Sequence, residues 1–223
     1  EAHIHNDSFE HMVQPKMVYI SNPTEVGTIY SKAELTALSA TCHKYGLYLF
    51  LDGARLGYGL AAPDNDLTLP DIAALCDVFY IGGTKVGALF GEAVVIKNPE
   101  LAQDFRYIIK QNGGMLAKGR LLGLQFDALF TDGLYQEISA HAIAMAEKLR
   151  EAFTAKGYTY LAPNRTNQIF VIVPDAHLAK ISEQFEYSYD QRIDATHSCV
   201  RFCTGWATKE ENVDALIRCV EKL

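Results

Sequence analysis

Short apolar stretches alternate with longer amphipathic ones through the first hundred residues of the chain. Four of the short stretches are rich in β-branched and aromatic residues and predict buried strands, at residues 17–21, 47–51, 78–81 and 93–96. The fourth stretch follows the third too closely for a helical crossover, so we expect these two strands to pair antiparallel. The order strand, helix, strand, helix, strand predicts an α/β fold with a mainly parallel sheet.

The two helices between these strands have well-marked starts. Ser31 and Glu34 have the spacing of a capping box, in which the serine oxygen and the glutamate carboxylate bind backbone N–H groups of the first turn. Leu35 and Cys42 follow on one apolar face at helical spacing. Thr68 precedes the second helix, whose first turn contains a proline. Both segments are therefore predicted to be crossover helices between parallel strands.

The pattern changes after residue 113. Two long helices are predicted at 116–130 and 134–153, separated by Asp132-Gly133. A smaller alternation of elements follows, with a strand at 168–173, a helix at 178–185, a strand at 198–203 and a helix at 209–223. We therefore expect two domains, a large sheet domain at 1–133 and a small C-terminal α/β domain at 134–223.

Composition narrows the classes of protein that fit. Of the 223 residues 49% are hydrophobic, which is typical of a globular protein and excludes a disordered chain. The net charge of −7 argues against a nucleic-acid partner, and no apolar run is long enough to cross a membrane. Five scattered cysteines and the lack of a basic-then-apolar leader favour a reduced, cytoplasmic protein. The chain begins with Glu1 rather than Met, so we expect residues upstream.

Polar clusters follow the first three predicted strands, at residues 22–25, 52–55 and 82–85. In parallel α/β sheets the carboxyl ends of the strands form the crevice where ligands bind. Asp52 and Lys85, on neighbouring strand ends, should face that crevice together. A lysine amine can bond to a carbonyl carbon, and a carboxylate opposite it can hold the protonated ring nitrogen that pyridoxal phosphate needs to act as an electron sink.

Two other kinds of site fit the sequence less well. The stretch GGTK resembles part of a phosphate-binding loop, but the spacing of its glycines is wrong and Val86 replaces the required hydroxyl residue. The His3-x-His5 pair follows no apolar strand, and His197 and Cys199 alternate with apolar residues as strand positions do. We therefore expect neither nucleotide hydrolysis nor a metal site.

Four stretches of the sequence resemble one known family: DGARLGYGL, FYIGGTKVGALFGEAVVI, IKQNGGMLAKGRLLGLQF and TNQIF. In this order they resemble the pyridoxal-phosphate lyases of the threonine aldolase and aromatic-amino-acid β-eliminating lyase family, over nearly the whole chain from about Pro15. The resemblance implies the aspartate-aminotransferase-like fold, fold type I, with a PLP-binding large domain and a small C-terminal α/β domain. It also implies pyridoxal 5′-phosphate as cofactor and a small amino acid as substrate.

The resemblance assigns roles to five residues near the cofactor. Lys85 matches the lysine that bonds covalently to the cofactor, and Asp52 matches the aspartate paired with its pyridine nitrogen; these two are the expected catalytic residues. Arg55 matches an arginine at the cofactor and substrate end of the site. Thr84 and Thr24 are implied as further cofactor contacts.

A sixth residue, Arg201, resembles the small-domain arginine that binds the α-carboxylate of the substrate. A guanidinium group suits that role because it offers two parallel N–H donors. The segment 111–118 resembles a loop that reaches a neighbouring subunit's site, where Lys118 would help to neutralise phosphate. The resemblance therefore also implies a homodimer or homotetramer.

The expected activity is that of a threonine aldolase, which cleaves the Cα–Cβ bond of a β-hydroxy amino acid to glycine and an aldehyde. Two alternatives stay open: β-elimination from an aromatic or cysteine-type amino acid, and a catalytically incomplete fragment that acts only in subunit association. The family has its main phosphate cup and its ring-stacking residue upstream of the first strand, and neither is present in this sequence. We therefore expect residues 1–223 alone to bind the cofactor weakly.

Overall fold

Eight strands and nine α-helices make up the computed structural model, which describes residues 1–223. The strands are β1 Met17–Ser21, β2 Tyr48–Asp52, β3 Val78–Gly82, β4 Glu92–Ile96, β5 Thr159–Tyr160, β6 Gln168–Pro174, β7 Ser188–Arg192 and β8 His197–Cys203. The helices are α1 Lys32–Lys44, α2 Leu56–Leu60, α3 Leu69–Leu75, α4 Pro99–Ala102, α5 Phe105–Gln111, α6 Arg120–Phe130, α7 Leu134–Ala155, α8 Asp175–Ile181 and α9 Glu210–Glu221.

The first four strands form one sheet in the order β1-β2-β3-β4. β1 pairs parallel with β2 and β2 pairs parallel with β3, whereas β3 and β4 are antiparallel. The predicted mainly parallel sheet and its antiparallel fourth strand are thus confirmed. Because β1 pairs in register from Met17↔Tyr48 to Ser21↔Asp52, the carboxyl ends of β1 and β2 lie side by side.

Both predicted helix starts have the expected capping boxes. At α1 the Glu34 N–H donates to Ser31 Oγ at 3.2 Å, and the Ser31 N–H donates to the Glu34 carboxylate at 2.9 Å. At α3 the same reciprocal pair joins Thr68 and Asp71. These contacts satisfy N–H groups that the first turn of a helix leaves without intrahelical partners.

The remaining strands form a second sheet in the order β5-β6-β8-β7, in which every pair is antiparallel. The sequence pattern does not predict β7, because all five of its residues are exposed and an edge strand without a buried face has no apolar alternation. A bulge between Tyr189 and Gln191 interrupts its pairing further. Phe185 and Tyr187, just before β7, pack against the core below this sheet.

The long helix α7 contributes to two apolar cores. Tyr135 and Ile143 belong to the core below the first sheet, whereas Met145, Leu149 and Phe153 belong to the core between the second sheet, α8 and α9. The change from one core to the other therefore falls inside α7. The division into domains at residues 133 and 134 stays a prediction.

Two predicted helices have different bounds in the structure. Residues 116–119 lie outside α6, which begins at Arg120 directly after a turn at residues 117–119. The helix predicted at 178–185 is α8, Asp175–Ile181, which begins directly after Pro174. None of the helices combines the length and the apolar composition needed to span a bilayer.

Candidate active site

The carboxyl ends of β2 and β3 approach each other more closely than side chains would allow. The Gly82 N–H donates to the Gly53 carbonyl at 2.9 Å. A Cβ on Gly53 would lie 2.0 Å from the Tyr80 carbonyl oxygen, and one on Gly82 would lie 2.3 Å from the Ala54 carbonyl oxygen. The two backbones can therefore come into contact only because these residues are glycines. This contact places the segments after β2 and β3 next to each other.

Asp52 is held ionised at this strand end. Tyr19 Oη donates to Asp52 Oδ2 at 2.5 Å, and the Ala54 N–H donates to Oδ1 at 2.9 Å. Burial alone would raise the pKa of Asp52, but the hydroxyls of Tyr19 and Tyr80, the Ala54 N–H and the charge of Lys85 outweigh it and lower this pKa below its ordinary value. The ionised carboxylate can therefore accept a hydrogen bond from a protonated nitrogen at neutral pH.

Lys85 lies on a loop whose backbone is fixed on both sides. The Gly83 N–H donates to a carboxylate oxygen of Glu92 at 2.5 Å, and the Val86 N–H donates to the Gly83 carbonyl at 2.9 Å. The Lys85 carbonyl accepts a hydrogen bond from the buried hydroxyl of Tyr58 at 2.5 Å. The Lys85 side chain is exposed and forms no ion pair, so its amine is free to meet a ligand.

Arg201 lies on β8, and Arg55 directly precedes α2. Burial raises the pKa of the Cys203 thiol, and the positive charges of Arg201 and Arg55 both oppose that shift. Arg201 donates to Gln168 Oε1 at 3.3 Å and to Ser188 Oγ at 3.4 Å. Its Nε is buried and has no hydrogen-bond partner. A buried donor without a partner is rare, which indicates that a further group completes this site.

Thr24 and Thr84, by contrast, have hydroxyls bonded within their own loops. Thr24 Oγ1 lies 2.6 Å from Thr28 Oγ1, and Thr84 Oγ1 donates to the Gly91 carbonyl at 3.4 Å. Lys118 is exposed on the turn before α6. The structure joins none of these three side chains to the other candidate residues by a hydrogen bond or ion pair, and their roles stay predictions.

Sequence reasoning missed Tyr19, Tyr80, Tyr58 and Gln168. Tyr19 pairs with Phe50, two residues before Asp52 on the neighbouring strand, so the strand register places its side chain on the same face as the carboxylate. Side chains alternate between the two faces of a strand, so an alignment of β1 with β2 was enough to identify Tyr19 from the sequence. Tyr58 and Gln168 carry no comparable signal, because their partners are more than 25 residues away in sequence.

Taken together, the site offers an ionised carboxylate, a free amine and a guanidinium group without an acidic partner. This donor set suits a ligand that contains a protonated nitrogen, a reactive carbonyl carbon and a carboxylate. No group of three or more His, Cys, Asp or Glu side chains is arranged to hold a metal ion.

Solved structures with this architecture define its fold. A threonine aldolase from Leishmania major superposes with a TM-score of 0.95 at 45% identity, over 98% of this chain and 64% of that one. An aspartate aminotransferase mutant from Thermus thermophilus superposes with a TM-score of 0.67 at 17% identity, over 96% and 59% of the two chains. The chain thus has the aspartate-aminotransferase-like fold, fold type I, as predicted.

Sequence comparison identifies the family. The profile described as beta-eliminating lyase matches residues 1–176. A low specificity L-threonine aldolase from Pseudomonas sp. (strain NCIMB 10558) is 33% identical over 210 residues, which is 92% of this chain and 59% of that protein. The chain belongs to the beta-eliminating lyase family, as the four sequence motifs predict. It spans about three fifths of the length of the curated relatives that it matches.

Proposed function

We propose that this chain carries the lysine-bearing part of a pyridoxal-phosphate-dependent amino acid lyase with threonine aldolase activity. The observation that carries the proposal is the place of Lys85 and the ionised Asp52 at adjoining strand ends, which the hydrogen bond from the Gly82 N–H to the Gly53 carbonyl joins at 2.9 Å. The likeness to a threonine aldolase at 45% identity supports it and favours cleavage of a β-hydroxy amino acid to glycine and an aldehyde. We also propose a cytoplasmic location, which the five free cysteines favour.

The residues present fit pyridoxal phosphate. When bound, this cofactor supplies an electron sink for the bonds at Cα of an amino acid. Asp52 would hold a proton on its pyridine nitrogen, which requires the lowered pKa described above. Lys85 would bond to its aldehyde carbon, and Arg55, Thr84 and Thr24 would contact its remaining groups. The close packing of Gly53 against Tyr80 and of Gly82 against Ala54 holds together the two strand ends that carry Asp52 and Lys85.

Arg201 would hold the substrate by its α-carboxylate. Two parallel N–H donors of a guanidinium group match the two oxygens of a carboxylate, and the buried Nε of Arg201 is one donor without a partner. Arg55 adds a second positive charge whose effect reaches the Cys203 thiol. Arg201 thereby fixes the orientation of Cα, and with it the bond that is aligned for cleavage.

A β-eliminating reaction would use the same residues, and the matched family bears that name. Loss of a β-substituent yields ammonia and a keto acid, whereas aldol cleavage yields glycine and an aldehyde. Incubation of the loaded enzyme with threonine and with a cysteine-type amino acid, followed by identification of the products, distinguishes the two activities. Formation of glycine and acetaldehyde from threonine supports the first proposal, and its absence together with keto acid formation refutes it.

We also propose that the protein is a homodimer or homotetramer. Large apolar side chains are exposed on α5, on α6, in the segment between them and in the loop after β3: Leu89, Phe90, Tyr107, Ile108, Met115, Leu116, Leu121 and Leu124. Gln125 fixes that loop against α6, because its Oε1 accepts from the Leu89 N–H at 2.7 Å. Large exposed apolar side chains in such number are typical of an interface between subunits, and Lys118 lies among them in sequence. Sedimentation equilibrium of the purified protein would show a monomer if this proposal is wrong.

Borohydride reduction followed by peptide mass mapping tests the site. The protein expressed from its complete coding sequence is incubated with pyridoxal phosphate, reduced and digested. We expect the cofactor mass on the Lys85 peptide, the loss of that label in Lys85→Arg, and its retention in the control Lys110→Arg, an exposed lysine of α5. A wild-type protein without label, or one labelled elsewhere, would refute the enzyme assignment. If it is unlabelled but oligomeric, a role in subunit association alone is the better description.

A further inference from the structure

Arg201 has no acidic partner. Arg150, Arg165 and Arg192 each bind a carboxylate within 4 Å, whereas every hydrogen bond of Arg201 goes to an uncharged group. Its side chain is half-buried and lies over the ring of Phe170. A guanidinium group held in this way keeps its full charge for a ligand, and something other than an ion pair must orient it.

Gln168 is the uncharged group best placed to do so. It is the first residue of β6, it is completely buried, and its Oε1 accepts from Arg201 Nη1 at 3.3 Å. On its other side, Gln168 Nε2 donates to the Glu25 carbonyl at 3.5 Å, in the loop after β1. The amide therefore contacts the first sheet's loop and the arginine of the second sheet at the same time.

We propose that Gln168 is a positioning residue that orients Arg201 toward the substrate carboxylate without neutralising it. The inference rests on the proposed function, since it takes an amino acid carboxylate as the ligand of Arg201. A neutral amide oxygen forms one hydrogen bond to one arm of the guanidinium fork and leaves Nε free. A carboxylate at the same position would form a charge-assisted bond and compete with the substrate for the fork.

Two substitutions separate orientation from charge. Gln168→Glu keeps the shape and the acceptor but adds the competing charge, and Gln168→Met keeps the volume but removes the acceptor. The matched control is Gln184→Glu, the same change at an exposed glutamine in the turn after α8. The protein from the complete coding sequence is loaded with pyridoxal phosphate, and two quantities are measured: the Kd for glycine by calorimetry, and the kcat and KM for threonine.

We expect Gln168→Glu to raise the Kd for glycine and the KM for threonine at least tenfold, with kcat within threefold of the wild type. Gln168→Met should raise both about threefold to tenfold, and Gln184→Glu should leave them within twofold. Values within twofold of the wild type for both Gln168 variants would overturn the inference. So would a fall in kcat and thermal stability with an unchanged KM, because that result describes a purely structural residue. If Gln168→Glu does not fold, the Kd and KM values of Gln168→Met alone decide the role of Gln168, with the same twofold limit.

Failure of the proposed activity gives a different result. A wild-type protein that binds glycine but does not cleave threonine refutes the aldolase proposal, while the ratio of glycine Kd values between wild type and variants still decides the role of Gln168. A wild-type protein that cleaves threonine with variants indistinguishable from it refutes only the role of Gln168.

Discussion

Removal of one buried hydroxyl, in Tyr58→Phe, should weaken the link between the Lys85 loop and the second sheet. Tyr58 is 1% exposed, and its hydroxyl donates to the Lys85 carbonyl at 2.5 Å and accepts from the Trp206 N–H at 3.3 Å. Phenylalanine keeps the packing but leaves both backbone groups without this partner. Both backbone groups belong to exposed residues that water can reach, so the loss is the net value of a hydrogen bond, and we expect the free energy of unfolding to fall by about 0.5–1.5 kcal/mol.

Urea unfolding of the cofactor-free protein, followed by fluorescence, measures this change. Trp206 is the single tryptophan and is itself one of the two partners, so its emission reports directly on the region perturbed. The control is Tyr189→Phe, at an exposed tyrosine, for which we expect a change below about 0.5 kcal/mol. A Tyr58→Phe variant as stable as that control would show that the hydroxyl does not hold the Lys85 loop.

Two further predictions concern the closely packed strand ends and a buried thiol. Gly53→Ala places a Cβ 2.0 Å from the Tyr80 carbonyl oxygen and should destabilise the protein by about 3 kcal/mol or more. Gly123→Ala, on an open face of α6, is the control and should stabilise the protein by about 0.5–1 kcal/mol. Equal midpoints of urea unfolding for the two variants would contradict this prediction. Burial raises the pKa of the Cys76 thiol to about 12, so between about pH 9 and this value the unfolded chain loses a proton that the folded chain keeps. The free energy of unfolding should therefore fall as pH rises, by up to about 1.4 kcal/mol per unit, and the fall should be shallower in Cys76→Ala. An equal dependence of the free energy of unfolding on pH in the wild type and in Cys76→Ala would refute this explanation.

The first sheet could be predicted from the sequence because its strands are buried and its helices are capped by local contacts. Apolar stretches such as Val78–Gly82 are visible without any knowledge of the fold, and the capping box at Ser31 needs only four residues. Asp52 and Lys85 were predicted to meet because both follow strands of a parallel sheet. The strand β7 was missed because its side chains are exposed and its pairing is set by its neighbour β8.

The supporting residues of the site required the structure. Tyr58 and Gln168 act through contacts with residues far away in sequence, and nothing local distinguishes them from other buried side chains. Family resemblance supplied Arg201, but neither its missing acidic partner nor its buried Nε follows from a motif. Long-range contacts of this kind depend on how the two sheets are placed relative to each other. The spacing of apolar residues along the chain does not contain that information.

The helix α7 fixes the rotation of the second apolar core relative to the first, because it packs into both. Its side chains change from one core to the other between Ile143 and Met145, within a single unbroken helix of 22 residues. Each residue of an α-helix advances the chain by about 100°, so one residue inserted at that point would turn the second core by more than a quarter of a circle relative to the first. Arg201, on the second sheet, would then turn with that core relative to Asp52 and Lys85 on the first. The residue count of this one helix is therefore set by the candidate site to which both sheets contribute.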